Sequence, residues 1–261
     1  MRTLKLTIAY DGTRYAGWQV QNSDKQQATS NRRNEKPTIQ GTLELTFQRI
    51  LRERVHVVGS GRTDAGVHAV AQAAHVRTRT ALPRERLLRS FNALLPSDIA
   101  VLSIQDAHPA FHARFDSSSK RYRYRIFTGS VVPPFICPYV HRVCTPLNIA
   151  LMRHEAAGLR GRHDVKAFAR ASRPMRSTVR TVTDVRVLRR GDEIHIEIEG
   201  GGFLHTMVRS IAGTLIDIGR GRLPPGTVRR MLRTKDRGLA GTTAPAQGLT
   251  LVSVAYRRNG T

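Results

Sequence analysis

Residues 57–69 read VVGSGRTDAGVHA, and a single acid, Asp64, stands there between Gly61 and Gly66, with Arg62 two positions before it. Two chemistries compete for this stretch. Gly59-x-Gly61 after a strand is how a dinucleotide-binding turn begins, but that turn needs a third small residue and then a helix whose N-terminus meets the phosphate. Here the sixth position is Asp64, which sets a carboxylate against a pyrophosphate, and the continuation AGVHAVAQAAHV reads as strand. A nucleotide-cofactor enzyme built on Gly59 and Gly61 is therefore the weaker reading. Asp before Ala-Gly also has a plain structural use, because it bonds its own backbone and shapes a turn. The neighbouring Arg62 and the basic chain point further, to a carboxylate kept ionised at neutral pH. Such a group acts as nucleophile or base without a metal.

Two other stretches carry chemistry. In KRYRYRIF (120–127) a strand puts Tyr122, Tyr124 and Ile126 on one face and Arg121, Arg123 and Arg125 on the other. Aromatics beside arginines stack a base and bind its phosphates. The competing reading is a core strand with buried tyrosines and solvated arginines. GGGFLHTMVRS (200–210) sets three glycines before a helix. They suit either close approach of a phosphate or a flexible turn. Arg209 lies in that helix beside Val208 on its apolar stripe, where a partly buried guanidinium calls for an acidic partner. The histidines, His68, His75, His108 and His112 among them, lack metal-ligand spacing and read as packed or solvated residues.

These groups must be positioned by ordinary elements. Leu4, Leu6, Ile8 and Tyr10 alternate and predict a strand over 4–10. The stretch 21–37 holds no aliphatic residue larger than Ala28 and predicts a polar loop. Thr38 is positioned to cap a helix carrying Ile39, Leu43, Phe47, Ile50 and Leu51. Strands are expected at 54–58 and 68–78, and a helix after Pro83 with Leu87, Leu88, Phe91 and Leu94 inward. Periodicity lapses over 97–112, which places a domain boundary there and gives domains 1–108 and 109–261. The second half offers strands at 120–127 and 179–188, the alternation Ile194, Ile196, Ile198, and a last strand at 249–256. Its helices are expected near 147–159, 204–218 (with Gly219 as the stop) and 225–233. The class is α+β with antiparallel sheet.

Composition narrows the partner. Lys+Arg number 43 against 19 Asp+Glu in 261 residues, a formal charge of +24. Arg in place of Lys is a composition bias, but a twofold excess of bases is not, and the usual reason is a polyanion such as nucleic acid. Cys137 and Cys144 have neither CxxC spacing nor a matching His cluster, so zinc is not expected, and a reduced cytoplasmic setting fits better than a disulfide. MRTLKLTIAYDG at the N-terminus reads as strand rather than signal peptide, and no apolar run reaches the roughly 18 residues of a membrane helix. A non-catalytic RNA-binding protein accounts for the same charge and aromatic strand.

Taken in order, YDGTRYAGWQVQ (10–21), TIQGTLE (38–44), GRTDAGVHA (61–69), FHARFDSSSKRYRYRIF (111–127), the glycine loop through Leu215 and KDRGLAGTTAPAQGLTLV (235–252) resemble the bacterial tRNA pseudouridine synthase A family over nearly the whole chain. The resemblance implies two RNA-binding-like α/β sandwich domains that share a central, mostly antiparallel sheet, with the active-site cleft between them. It implies isomerisation of uridine to pseudouridine at positions 38–40 of the tRNA anticodon stem-loop, with no cofactor or metal, by a cytoplasmic homodimer. By the same resemblance Asp64 matches the catalytic aspartate and Tyr122 the tyrosine that stacks on the target base. Arg209 matches the arginine that pairs with the aspartate, and Arg62 one that helps extrude the nucleotide. Leu249 falls in an apolar segment expected to line the pocket. The sequence departs from the family pattern in a longer 21–37 loop and in HTMVRS, where YHMVRN is more familiar.

Overall fold

A computed structural model describes residues 1–20, 36–170 and 177–257. The polar loop expected at 21–37 lies outside the described residues except for its last two. By contacts the chain forms two compact units, Met1–Ser118 with the chain from Leu251 onward, and Ser119–Thr250. The expected division lay between 108 and 109.

In the first unit, β1 (Arg2–Tyr10) runs antiparallel to β3 (His68–Thr78) on one side and to β4 (Ile99–Ala107) on the other. The short β2 (Val58–Gly59) pairs with β3, and β10 (Leu249–Tyr256) lies on the far side of β3. Leu4, Leu6 and Ile8 alternate inward and are fully buried, as period-2 patterning requires. Helix α1 (Ile39–Leu51) opens at Thr38, whose hydroxyl accepts the Gly41 amide, and α2 (Arg84–Leu94) opens after Pro83. The two meet at Phe47 and Phe91, edge to face at 4.3 Å.

In the second unit, β5 (Ser117–Phe127), β9 (Glu193–Gly200), β8 (Val179–Arg190) and β7 (Gly161–Asp164) lie in that order, all antiparallel. Among the described residues of this unit, only β6 (His141–Arg142), on β5, is parallel. Three helices follow the chain: α3 (Ile149–Ala157), α4 (Met207–Gly219) and α5 (Thr227–Thr234). Every residue of α4 except Arg209 is buried. Helix α5 has glycine at its N-cap and therefore no capping side chain of its own. The buried Glu155 of α3 supplies one, accepting the amides of Gly226 at 2.6 Å and Val228 at 3.0 Å.

The α+β class with mostly antiparallel strands is as expected. Three local readings are corrected. The strand expected at 54–58 shrinks to Val58–Gly59, because α1 side chains take the Val57 backbone: its amide donates to Glu44 and its carbonyl accepts from Gln40. The stretch 97–112 contains β4. A register shift against β1 leaves Leu102 as an extra residue, so Ile99, Val101 and Ile104 fall out of strict alternation. Gly219 is the last residue of α4 rather than a left-handed stop. It is small because a Cβ there would sit 2.8 Å from the Met152 sulfur. Among the described residues no helix is long and apolar enough to cross a membrane. Cys137 and Cys144 are free and exposed.

Candidate active site

The Asp64 loop leaves β2 and enters β3, and its backbone is tied down at successive residues. The Ser60 amide donates to Ala73 at 2.7 Å, and its hydroxyl donates to Gln72 at the same distance. Gln72, fully buried on β3, returns a bond from its amide nitrogen to the Gly61 carbonyl at 3.0 Å. Thr63 is held twice: its carbonyl accepts the Trp18 amide at 3.1 Å, and its hydroxyl shares a 2.8 Å bond with the Tyr10 hydroxyl. The Asp64 carbonyl accepts the Val67 amide at 3.2 Å, closing a turn in which Gly66 takes a φ of +79°. That left-handed position is why glycine stands there. The Asp64 side chain is half-buried, while Ala65 and Arg62 beside it are exposed. The result is a carboxylate on a turn whose backbone has little freedom left.

The support comes from 10–20. Burial pushes the Tyr10 hydroxyl up to about 12, with bonds to Thr63 and Gln72 pulling the other way, so it is a neutral partner at any physiological pH. Gly17, at φ +96°, lies so close under the loop that a Cβ would meet the Thr63 carbonyl oxygen at 2.7 Å. A Cβ on Gly12 would meet the Val67 oxygen at 2.1 Å. Gly59 is occupied in the same way: a Cβ would lie 2.5 Å from the buried Trp18 indole. Its smallness is accounted for by packing, and that removes the main support for a phosphate-binding glycine there. Tyr15 and Arg14 both bond Asp98, at 2.6 Å and 2.7 Å, which anchors this supporting segment.

Tyr122, Arg209 and Leu249 belong to the second unit. Tyr122 faces inward from β5 opposite Ile198, is 7% exposed, and meets Phe203 edge-on at 5.2 Å. Its neighbour Tyr124 is fully buried, donates to the Pro245 carbonyl at 3.0 Å, and packs where Gly248 leaves no room for a Cβ. Arg209 sits in the first turn of α4. Its Nε donates to the Ala244 carbonyl at 2.8 Å, and the Ala244 amide donates to the Arg209 carbonyl at 3.1 Å. This reciprocal clamp ties α4 to the TAPAQG segment. Leu249, next along the chain, is buried.

The β5 arginines are matched within the sheet. Arg121, Arg123 and Arg125 pair with Glu199, Glu197 and Glu193 of β9 at 2.6–2.7 Å. They stand on the face opposite the tyrosines, and their charge is spent within the sheet. The loop 200–202 holds no left-handed glycine; Gly200 is needed because the Thr181 oxygen lies 2.5 Å from where its Cβ would be. A cavity of about 380 Å³ between Val131, Val140 and Arg142 holds none of the expected residues. Sequence reasoning missed Tyr10, Thr63 and Gln72 as supports of the Asp64 loop. The available signal was Gln72, a polar residue in the inward phase of a strand of small apolar ones.

A family model described as tRNA pseudouridine synthase matches residues 6–116 and 156–257. A tRNA pseudouridine synthase A of Pelobacter propionicus is 43% identical over 98% of this chain and 100% of its own. Those of Thermoanaerobacter sp. strain X514 and Exiguobacterium sp. are 39% and 40% identical over 98% and 99% of this chain, and over 100% and 99% of their own. A solved Cbf5-Nop10-Gar1 complex matches 81% of this chain and 44% of its own at 13% identity, with a TM-score of 0.33.

Proposed function

The chain belongs to the tRNA pseudouridine synthase family, and from that premise we propose that it isomerises uridine at positions 38–40 of the anticodon stem-loop, with Asp64 as its catalytic group. The enzyme class is isomerase, acting on tRNA to make pseudouridine. The reaction breaks the N1–C1′ glycosidic bond, turns the uracil, and forms C5–C1′; the proton on C5 leaves and N1 gains one, so composition is unchanged. No electrons enter or leave.

The observation that carries the proposal is the half-buried Asp64 on a turn fixed by Tyr10, Trp18 and Gln72. A carboxylate held in place acts without first being ordered. Two roles suit it, nucleophile on the sugar or ring and base toward a ribose proton. A uridine stacked in a stem must leave it first, at a cost of a few kcal/mol. Stacking on Tyr122 offsets roughly 1–3 kcal/mol of that. Arg62, exposed beside Asp64, assists the extrusion, Arg209 pairs with the carboxylate, and Leu249 lines the uracil pocket. The enzyme works as a cytoplasmic homodimer without a cofactor.

The test is Asp64→Asn with an anticodon-arm RNA, read by tritium release from C5-labelled uridine and by carbodiimide mapping, since mass does not change. Product is expected to vanish while RNA binding persists. Appreciable product from the variant removes Asp64 from the chemistry. Salt-sensitive binding by wild type, with no release at all, replaces the enzyme by an RNA-binding protein.

A further inference from the structure

We propose that Phe115, backed by His112 and flanked by Arg114, is a second stacking platform, separate from the catalytic residues, that takes one unpaired nucleotide of the RNA. This rests on the reading that the chain acts on tRNA. Phe115 exposes 75% of its surface. One face of its ring is covered by the His112 imidazole, 4.3 Å away and tilted by 33°. The Arg114 guanidinium lies 5.7 Å from the ring centre and is exposed. Among the described residues it meets no acidic side chain. A half-covered ring beside an unneutralised guanidinium is the pairing that takes a base on its face and a phosphate at its edge.

The platform is built rather than frayed. His112 Nδ1 accepts the amides of Arg114 at 3.1 Å and Phe115 at 3.3 Å. The Asp116 carboxylate accepts the His112 amide at 2.8 Å, and the Asp116 amide donates to the His112 carbonyl at 3.0 Å. Ala113 is held on both sides, its amide by His75 Nδ1 at 3.1 Å and its carbonyl by the Tyr256 hydroxyl at 2.8 Å. Below it, Lys5 lies 4.2 Å from the Tyr256 ring centre. An exposed ring held on a rigid turn lowers the ordering cost of a ligand. The polar surroundings favour a nucleotide over a protein partner, which would need a contiguous apolar patch. Phe135 is more exposed, at 92%, but among the described residues no ring or guanidinium is packed against it.

The experiment compares Phe115→Ala, Phe115→Leu and Phe115→Trp with wild type, measuring Kd for a tRNA transcript and for a fully paired RNA duplex at one salt concentration. The alanine and leucine variants are expected to lose roughly 5- to 150-fold on tRNA and to match wild type on the duplex, with tryptophan restoring the loss. Their melting temperatures should match wild type, because the ring is exposed. Unchanged tRNA affinity in Phe115→Ala overturns the platform while leaving the enzyme reading intact. So does an equal loss on the duplex, or a fall in sedimentation coefficient, which assigns the ring to a second copy of the chain. A wild-type protein that neither binds nor modifies tRNA overturns the enzyme reading, and this proposal with it.

Discussion

Tyr10→Phe tests whether the Asp64 turn is held for chemistry or merely folded. The substitution removes one hydroxyl and leaves the ring, so packing against Trp18 at 6.1 Å between ring centres is retained. It breaks the 2.8 Å bond to the Thr63 hydroxyl, between residues 4% and 7% exposed. Leaving a desolvated hydroxyl without this partner costs about 1–3 kcal/mol. Part of that is relieved by movement of Thr63, and Asp64 is the next residue. A displacement of about 1 Å costs on the order of 100-fold in rate, so half of it costs on the order of 10-fold. The expected outcome is kcat reduced about tenfold with KM within about twofold, in a tritium-release assay on tRNA. Thr63→Val should do the same, and the double variant should be no slower than either single one, because both remove one bond. Thr63→Ser, which keeps the hydroxyl, should recover most of the rate. Wild-type kcat in Tyr10→Phe with a lowered melting temperature would refute the reasoning and leave the bond a purely structural one.

Gly59→Ala drives a Cβ into the Trp18 indole and is expected to lower stability by about 1–3 kcal/mol, read by chemical denaturation. Glu155→Ala removes the carboxylate that caps α5 and should lower stability by about 2 kcal/mol; a stability equal to wild type would show that water caps the helix as well. The Arg125 guanidinium, with His195 adding to it, holds the Glu193 carboxyl at about 2, below its ordinary value. That pair therefore stabilises the fold above about pH 4.5 and loses its contribution as pH falls toward 2, about 1–2 kcal/mol after screening, and Arg125→Gln should flatten this limb of the pH–stability curve. Burial, with His112 beside it, lowers His75 to about 4. The fold accordingly keeps it neutral, and stability should fall as pH drops from about 6.5 to 4, a decline that His75→Gln should reduce.

Elements whose signal is local were legible. β1, β3 and β10 show in the sequence because their inward residues alternate or run apolar, and α1 because Thr38 and its apolar stripe lie within one helix. What failed depends on partners distant in sequence. β4 loses its alternation to a bulge that exists only in its register with β1. Gly59 looks like half of a phosphate loop until Trp18, forty-one positions earlier, is seen lying against it. The α5 cap comes from Glu155, 71 positions away from Gly226. The turn that carries Asp64 was legible because its residues are contiguous, whereas the Tyr10–Thr63 bond that steadies it spans 53 positions.

The same distinction bears on how a chain of +24 meets RNA. Net charge counts every arginine alike, but a guanidinium already paired to a carboxylate offers a phosphate little gain, because binding would first have to break that pair. The arginines of β5, which the sequence marks most strongly by alternating with aromatics, are of that kind: each is matched by a glutamate of β9. Arg229, Arg230 and Arg233 on the outward face of α5 meet no acidic side chain among the described residues, and neither does Arg114 beside Phe115. Charge free for phosphate thus includes α5 and the turn at Phe115, while the arginines of β5 hold the sheet together. An aromatic–arginine alternation on a central strand is for that reason better evidence of sheet pairing than of a nucleic-acid surface.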